Sequence, residues 1–302
     1  MKKVLVGYDG SDQGRDALRL AETLRAADNG ELVVAVVDEV EPILGDTGEM
    51  AKIRNEYYAS TFASAGEELG YTDFVQRVSA GSVAEALYAV ADVNDVDVVV
   101  VGSCHRGKLG QALAGSVAES LLNGSPCPVA IAPRGYHERE HPEVRLVGVA
   151  FDAQKESKHA LHASIELARE FDADLRVISV APSDKELIPG RIGHTYPGYA
   201  HALVEYFEEL LEGAKAEVPD DVRAETVLAE GKPSAELAAQ GVDLDLLVVG
   251  SRGYGPVRRV LLGSVAKGVV DAAPCPVFVT PRSAKDRDEA PAARREADTA
   301  DA

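Results

Sequence analysis

Residues 248–264 read VVGSRGYGPVRRVLLGS: the end of a hydrophobic run, a loop punctuated by Gly250 and Gly253, an apolar segment, then Gly263-Ser264 opening a helical pattern. Glycines let a backbone approach an anion with no Cβ in the way and permit positive φ, so free N–H groups can converge on phosphate oxygens. Ser264 suits the N-cap of the helix that follows, whose unpaired amides and positive dipole end favour the same anion. Strand, glycine loop and helix start, in that order, read as a phosphate cradle. A glycine pattern alone is weak evidence, so its weight rests on the surrounding chain.

That surrounding chain repeats itself. DVVVVG at 97–102 returns as DLLVVG at 245–250, GSVA at 115–118 as GSVA at 263–266, and PCPV at 126–129 as PCPV at 274–277, each displaced by 148 positions. The starts match as well: VLVGYDGSDQGRDAL, with Asp9, pairs with RLVGVAFDAQKESKHAL, with Asp152, displaced by 143 because the intervening loops differ in length. A repeat of this size is a duplicated domain, not a turn of a solenoid. Domains are expected at 1–134 and 143–282, with a linker at 135–142 (GYHEREHP) and a tail at 283–302. Stretched at about 3.5 Å per residue, the linker reaches under roughly 30 Å, so the copies are expected to be neighbours. The tail is charged and Ala-rich without apolar periodicity and is expected to be disordered.

Within each copy strands and helices alternate. In the first, strands are expected at 3–8, 32–37, 74–78, 98–101 and 129–132, with helices at 11–27, 50–69, 83–93 and 115–122. Ala17, Leu18, Ala21 and Leu24 share one helical face, and the run from Leu32 to Val37 is typical of a parallel strand buried on both sides. The second copy places strands near 145–150, 175–180, 223–228, 246–249 and 277–280. Right-handed crossovers then give an α/β fold of two doubly wound, five-stranded parallel-sheet domains, Rossmann-like in type.

Composition bounds the partners. Fifty acidic against 31 basic residues give a net charge of −19, which repels nucleic acid and anionic lipid. An excess of this kind keeps a protein soluble in a high-salt cytoplasm, and an ordinary acidic surface carries it too. Cys104, Cys127 and Cys275 are odd in number and widely spaced, so reduced thiols are expected rather than disulfides or a zinc site. With no signal-peptide core and no run of about 18 apolar residues, a soluble cytoplasmic protein with no membrane partner is expected.

The loop spacing, its strand and helix context and the duplication resemble the ATP-binding signature of the universal stress proteins, over nearly the whole chain apart from linker and tail. That resemblance implies an adenine nucleotide alpha hydrolase-like fold and ATP, with or without a divalent cation, as ligand. In the second copy it implies a site made of Ala150, Phe151, Asp152, Val180, Val249, Gly250, Arg252, Gly253, Gly263, Ser264 and Val265. In the first it implies Asp9, Val36, Val101, Gly102, Gly115, Ser116 and Val117, but His105 stands where the loop glycine belongs. Asp9 and Asp152 would lie beside the adenosine, or simply turn the chain into a helix. Val36 and Val180 would line the adenine pocket, or belong to the core. Glu119, three residues after Ser116, reads as half of a capping box, with Lys267 at the equivalent place in the second copy.

No Walker lysine pattern, nucleophile elbow or metal-bound carboxylate pair is present. The resemblance therefore implies a regulatory or stress-response binding protein with at most slow ATP hydrolysis. The alternative is a module of the same fold that binds no nucleotide and acts through dimerisation or a partner. The Pro-Cys-Pro-Val segments lead into final strands that, in this family, lie at the sheet edge, so an internal pseudo-dimer is expected and a homodimer is open.

Overall fold

Val4, Leu5 and Val6 are fully buried on both faces of the first strand, and that sets the pattern for the molecule. The computed structural model describes residues 1–38, 48–103, 115–125, 127–139, 143–183, 199–251 and 262–281. Cys104 and His105 of the first copy, Arg252 and Gly253 of the second, and the tail 283–302 lie outside them. The first copy runs β1 (Lys3–Gly7), α1 (Asp12–Ala26), β2 (Glu31–Asp38), α2 (Gly48–Leu69), β3 (Val75–Ala80), α3 (Val83–Asn94), β4 (Val98–Gly102), α4 (Ser116–Leu122) and β5 (Val129–Ala132). The second runs β6 (Leu146–Ala150), α5 (Lys155–Phe171), β7 (Asp174–Ala181), α6 (Tyr199–Ala216), β8 (Ala224–Glu230), α7 (Pro233–Gln240), β9 (Leu246–Gly250), α8 (Ser264–Ala272) and β10 (Val277–Thr280).

All ten strands form one sheet, in the order β3-β2-β1-β4-β5-β10-β9-β6-β7-β8. Within each copy every pairing is parallel, and the order reverses at β1/β4 and at β6/β9. Two apolar layers cover its faces, and each layer runs through both copies. α1, α2, α5 and α6 pack on one face, and α3, α4, α7 and α8 on the other. The doubly wound parallel arrangement expected from the alternating elements is what the chain adopts.

The copies join through an antiparallel pair, the only one among the described residues, β5 with β10, where Ala130 faces Phe278 and Val129 faces Val279. Ala130 and Phe278 are the same position of the repeat, so a pseudo-two-fold axis passes between them. Glu119 and Lys267 are also equivalent positions, and they meet as an ion pair across that axis. Glu119 therefore does not complete a capping box: the cap of α4 is Gly115, with no side-chain hydrogen bond, and the glutamate reaches toward the other copy. Both groups are nearly half exposed, so Lys267→Glu is expected to lower stability by only about 0.2–1 kcal/mol. The double exchange Glu119→Lys with Lys267→Glu should recover the Glu119 share of the loss in urea melts, though not the share from Asp271, which lies 3.6 Å from Lys267 Nζ. A single exchange with no effect would show that the pair contributes nothing.

The first half of the linker is not a free tether. Tyr136 is buried beneath the α1 layer, Arg139 stacks on its ring at 5.0 Å and donates to the Pro274 carbonyl at 3.2 Å. Asp16, buried within α1, accepts from the Gly135 and His137 amides at 3.1 and 3.0 Å and lies 2.6 Å from His137 Nδ1.

Candidate functional site

The carboxyl ends of β6, β7 and β9 open onto a cavity of about 850 Å³, closed on one side by α6 and at its far end by the start of α8. Open parallel sheets leave such a crevice where the strand order reverses. Ala150, Phe151, Asp152, Val180, Val249, Gly250, Gly263 and Val265, all expected from sequence, line it together. Ser264 is the first helical residue beside it, while Arg252 and Gly253 fall outside the described residues.

At the start of α8 the cap is Gly263 rather than Ser264, with φ −65° and ψ 151° and no side-chain hydrogen bond. Positive φ is thus not what the glycine supplies. A capping side chain would satisfy an amide of the first turn; a glycine leaves the leading N–H groups without a side-chain partner, and Gly263, Val265 and Ala266 line the cavity. Among the described residues the first in-helix bond at this end is Lys267 N–H to the Gly263 carbonyl, at 2.8 Å.

Gly250 has a packing role beside its place in the cavity lining. A Cβ there would stand 2.6 Å from the Glu156 carbonyl oxygen, and at its counterpart Gly102 one would stand 2.2 Å from that of Gln13. Each glycine admits the first turn of a helix, α5 or α1, against the end of a strand, so its absence of side chain serves packing before it serves any ligand.

Asp152 lines the cavity and its Oδ1 accepts the Gln154 amide at 3.0 Å. Asp9 accepts both the amide and the hydroxyl of Ser11, at 3.0 and 2.5 Å, and Ser11 is the residue that caps α1. Both carboxylates therefore brace the turn into a helix and remain exposed. The second-strand valines need a correction. Val33 pairs with Leu5 and Arg176 with Gly148, so Val36 corresponds to Ser179, and Val180 to Val37. Val36 lies in the layer under α1 and α2, Val180 in the opposite layer. A one-residue slip on a strand moves a side chain to the other face, and matching the valines by strand end missed it. Of the remaining first-copy positions, Val101 and Gly102 end β4, Gly115 caps α4, and Ser116 and Val117 begin it.

Sequence reading missed the aromatic side of the cavity, Tyr206 and Phe207 of α6, which line it with Pro182. The signal was present: GluTyrTyr at 56–58 in α2 returns as GluTyrPhe at 205–207. In the first copy Tyr58 donates to Asp38 Oδ2 at 2.5 Å. Burial first, and this hydrogen bond second, push its phenol up to about 12, so it remains a donor at neutral pH.

The sequence model of the universal stress protein family matches this chain twice, at residues 1–133 and 143–281. The chain belongs to the universal stress protein family. A universal stress protein of Mycobacterium tuberculosis strain H37Rv is 29% identical over 297 residues, covering 92% of this chain and 99% of its own. A universal stress protein from Archaeoglobus fulgidus superposes with a TM-score of 0.66 at 21% identity, covering 93% of this chain and 98% of that one, a likeness of fold. A universal stress protein solved in complex with cAMP is 28% identical and covers 43% of this chain and 96% of its own, with a TM-score of 0.36. Among the described residues of this universal stress protein no helix is long and apolar enough to cross a membrane. Nor do three or more His, Cys, Asp or Glu gather there in a group able to hold a metal ion.

Proposed function

We propose that the second copy binds an adenine nucleotide, ATP in the first instance, and that the protein acts as a nucleotide-responsive binding protein rather than as an enzyme. The observation that carries this reading is the cavity. It brings the turn after β6, the ends of β7 and β9 and the uncapped start of α8 onto one space of about 850 Å³, within the range of small-molecule sites. Phosphates belong at the α8 amides, where the helix dipole and unpaired N–H groups favour negative charge. The apolar part of the lining, Val180 and Leu237 with Tyr206 and Phe207 of α6, suits a base. A divalent cation would arrive on the phosphates themselves. Arg252 and Gly253 belong to the proposed phosphate loop. Family membership supports the same reading, and a regulatory or stress-response role follows from it.

The test is mass-spectrometric identification of nucleotide released from freshly purified protein, with calorimetric titration of ATP. Because Gly263 has ordinary extended φ and ψ, valine is compatible with its backbone, so Gly263→Val is expected to keep the fold and lose the ligand. Protein that carries no nucleotide and shows no affinity at millimolar ATP would overturn the proposal in favour of a partner-binding module. Undiminished nucleotide in Gly263→Val would show that the phosphates lie elsewhere.

A further inference from the structure

The wall contributed by α6 distinguishes the two copies. GluTyrTyr in α2 and GluTyrPhe in α6 are 149 positions apart, and the core residues Phe62 and Leu211, and Ala65 and Ala214, keep the same displacement. Each copy holds an edge-to-face aromatic pair there: Tyr57 with Tyr58, ring centroids 6.0 Å apart, and Tyr206 with Phe207, 5.6 Å apart. What the second ring of each pair meets is different. Tyr58 is hydrogen-bonded to Asp38 at the end of β2, and Arg54 Nε lies 3.8 Å from the same carboxylate oxygen. By strand register Asp38 corresponds to Ala181, and by helix displacement Arg54 corresponds to Leu203. Asp38, Tyr58 hydrogen-bonded to it and Arg54 beside the same oxygen thus stand where the second copy has Ala181, Phe207 and Leu203. With no carboxylate at Ala181 to draw it away, the ring of Phe207 lines the cavity, beside Tyr206.

We propose that the nucleotide base lies against Phe207 and Tyr206, and that the Asp38–Tyr58–Arg54 cluster closes the corresponding place in the first copy, so that each chain holds one nucleotide, in its second copy. This rests on the nucleotide-binding reading above. A flat base gains by covering aromatic and aliphatic carbon, whereas covering a carboxylate and a guanidinium strips them of water with no compensating bond. Recognition through a ring face also tolerates a change of purine while requiring that a base be present.

Calorimetric titration of the full chain with ATP decides it, with tripolyphosphate as a base-free probe. Wild type is expected to show one site per chain. Phe207→Ala should weaken ATP about tenfold and leave tripolyphosphate unchanged. The graft Ala181→Asp with Leu203→Arg and Phe207→Tyr rebuilds the first copy's cluster in the second, a combination the first copy shows the fold to accommodate. It should weaken ATP by at least about tenfold as well. Two sites per chain, or a graft that binds ATP like wild type, would overturn this inference and leave the nucleotide reading standing. No ATP binding at all would remove both.

Discussion

Gly102→Val is expected to destabilise the protein by about 3 kcal/mol or more, and Gly250→Val by a similar amount. At both positions the obstruct is a backbone carbonyl, 2.2 Å from a Cβ at 102 and 2.6 Å from one at 250. A backbone carbonyl cannot rotate aside as a side chain can, so relief requires moving α1 off β4, or α5 off β9. Neither helix can move cheaply: Ala17, Leu20, Ala21 and Leu24 of α1, and Ala160 and Leu161 of α5, are fully buried. Urea denaturation followed by far-ultraviolet circular dichroism measures the effect. Gly213→Ala is the control, since a Cβ there meets nothing within 4 Å inside a helix and should be neutral or slightly stabilising. Unchanged midpoints for both valine variants would show that the helix-to-strand contact is looser than described.

Asp16→Ala should cost about 3 kcal/mol and act first on the connection between the copies. The carboxylate is 1% exposed and holds two amides and an imidazole of the segment after β5. Alanine takes the shared acceptor away from those partly exposed donors. Hydrogen exchange supplies the specific readout: the amides of Gly135 and His137 should exchange much faster, while those of β1 and β4 change only with global stability. Equal protection in the variant would mean that Tyr136, buried on its own account, holds the segment without help from the carboxylate.

How much of this was legible in the sequence depends on what each signal encodes. Strands such as VLV at 4–6 and VVVV at 98–101 announce themselves because burial on both faces demands unbroken apolar runs, and the duplication announces two halves of one architecture. Most of the cavity lining was legible for the same reason: strand ends of a doubly wound sheet have one place to converge. Register was not. Val36 and Val180 look alike at a strand end, and only the pairing of β2 with β1 and β7 with β6 shows that they point to opposite faces. Nor was the cap: Gly-Ser at a helix start favours serine by propensity, yet Gly263 and Gly115 take the position, and the residue-by-residue choice depends on tertiary placement. The packing role of Gly250 is not legible, because a glycine required for packing and one that lines a cavity look the same in a sequence. Tyr136 falls in the expected linker because a single aromatic among charged residues has no periodicity to mark it as core.

Because β5 and β10 belong to one polypeptide, their partnership does not depend on how much protein is present. A dimer of separate chains falls apart on dilution; tethered halves see each other at an effective concentration set by the connection, and at nanomolar levels they stay joined. Other chains with a similar strand meet an edge already taken, and the outer strands β3 and β8 are the ones left to greet them.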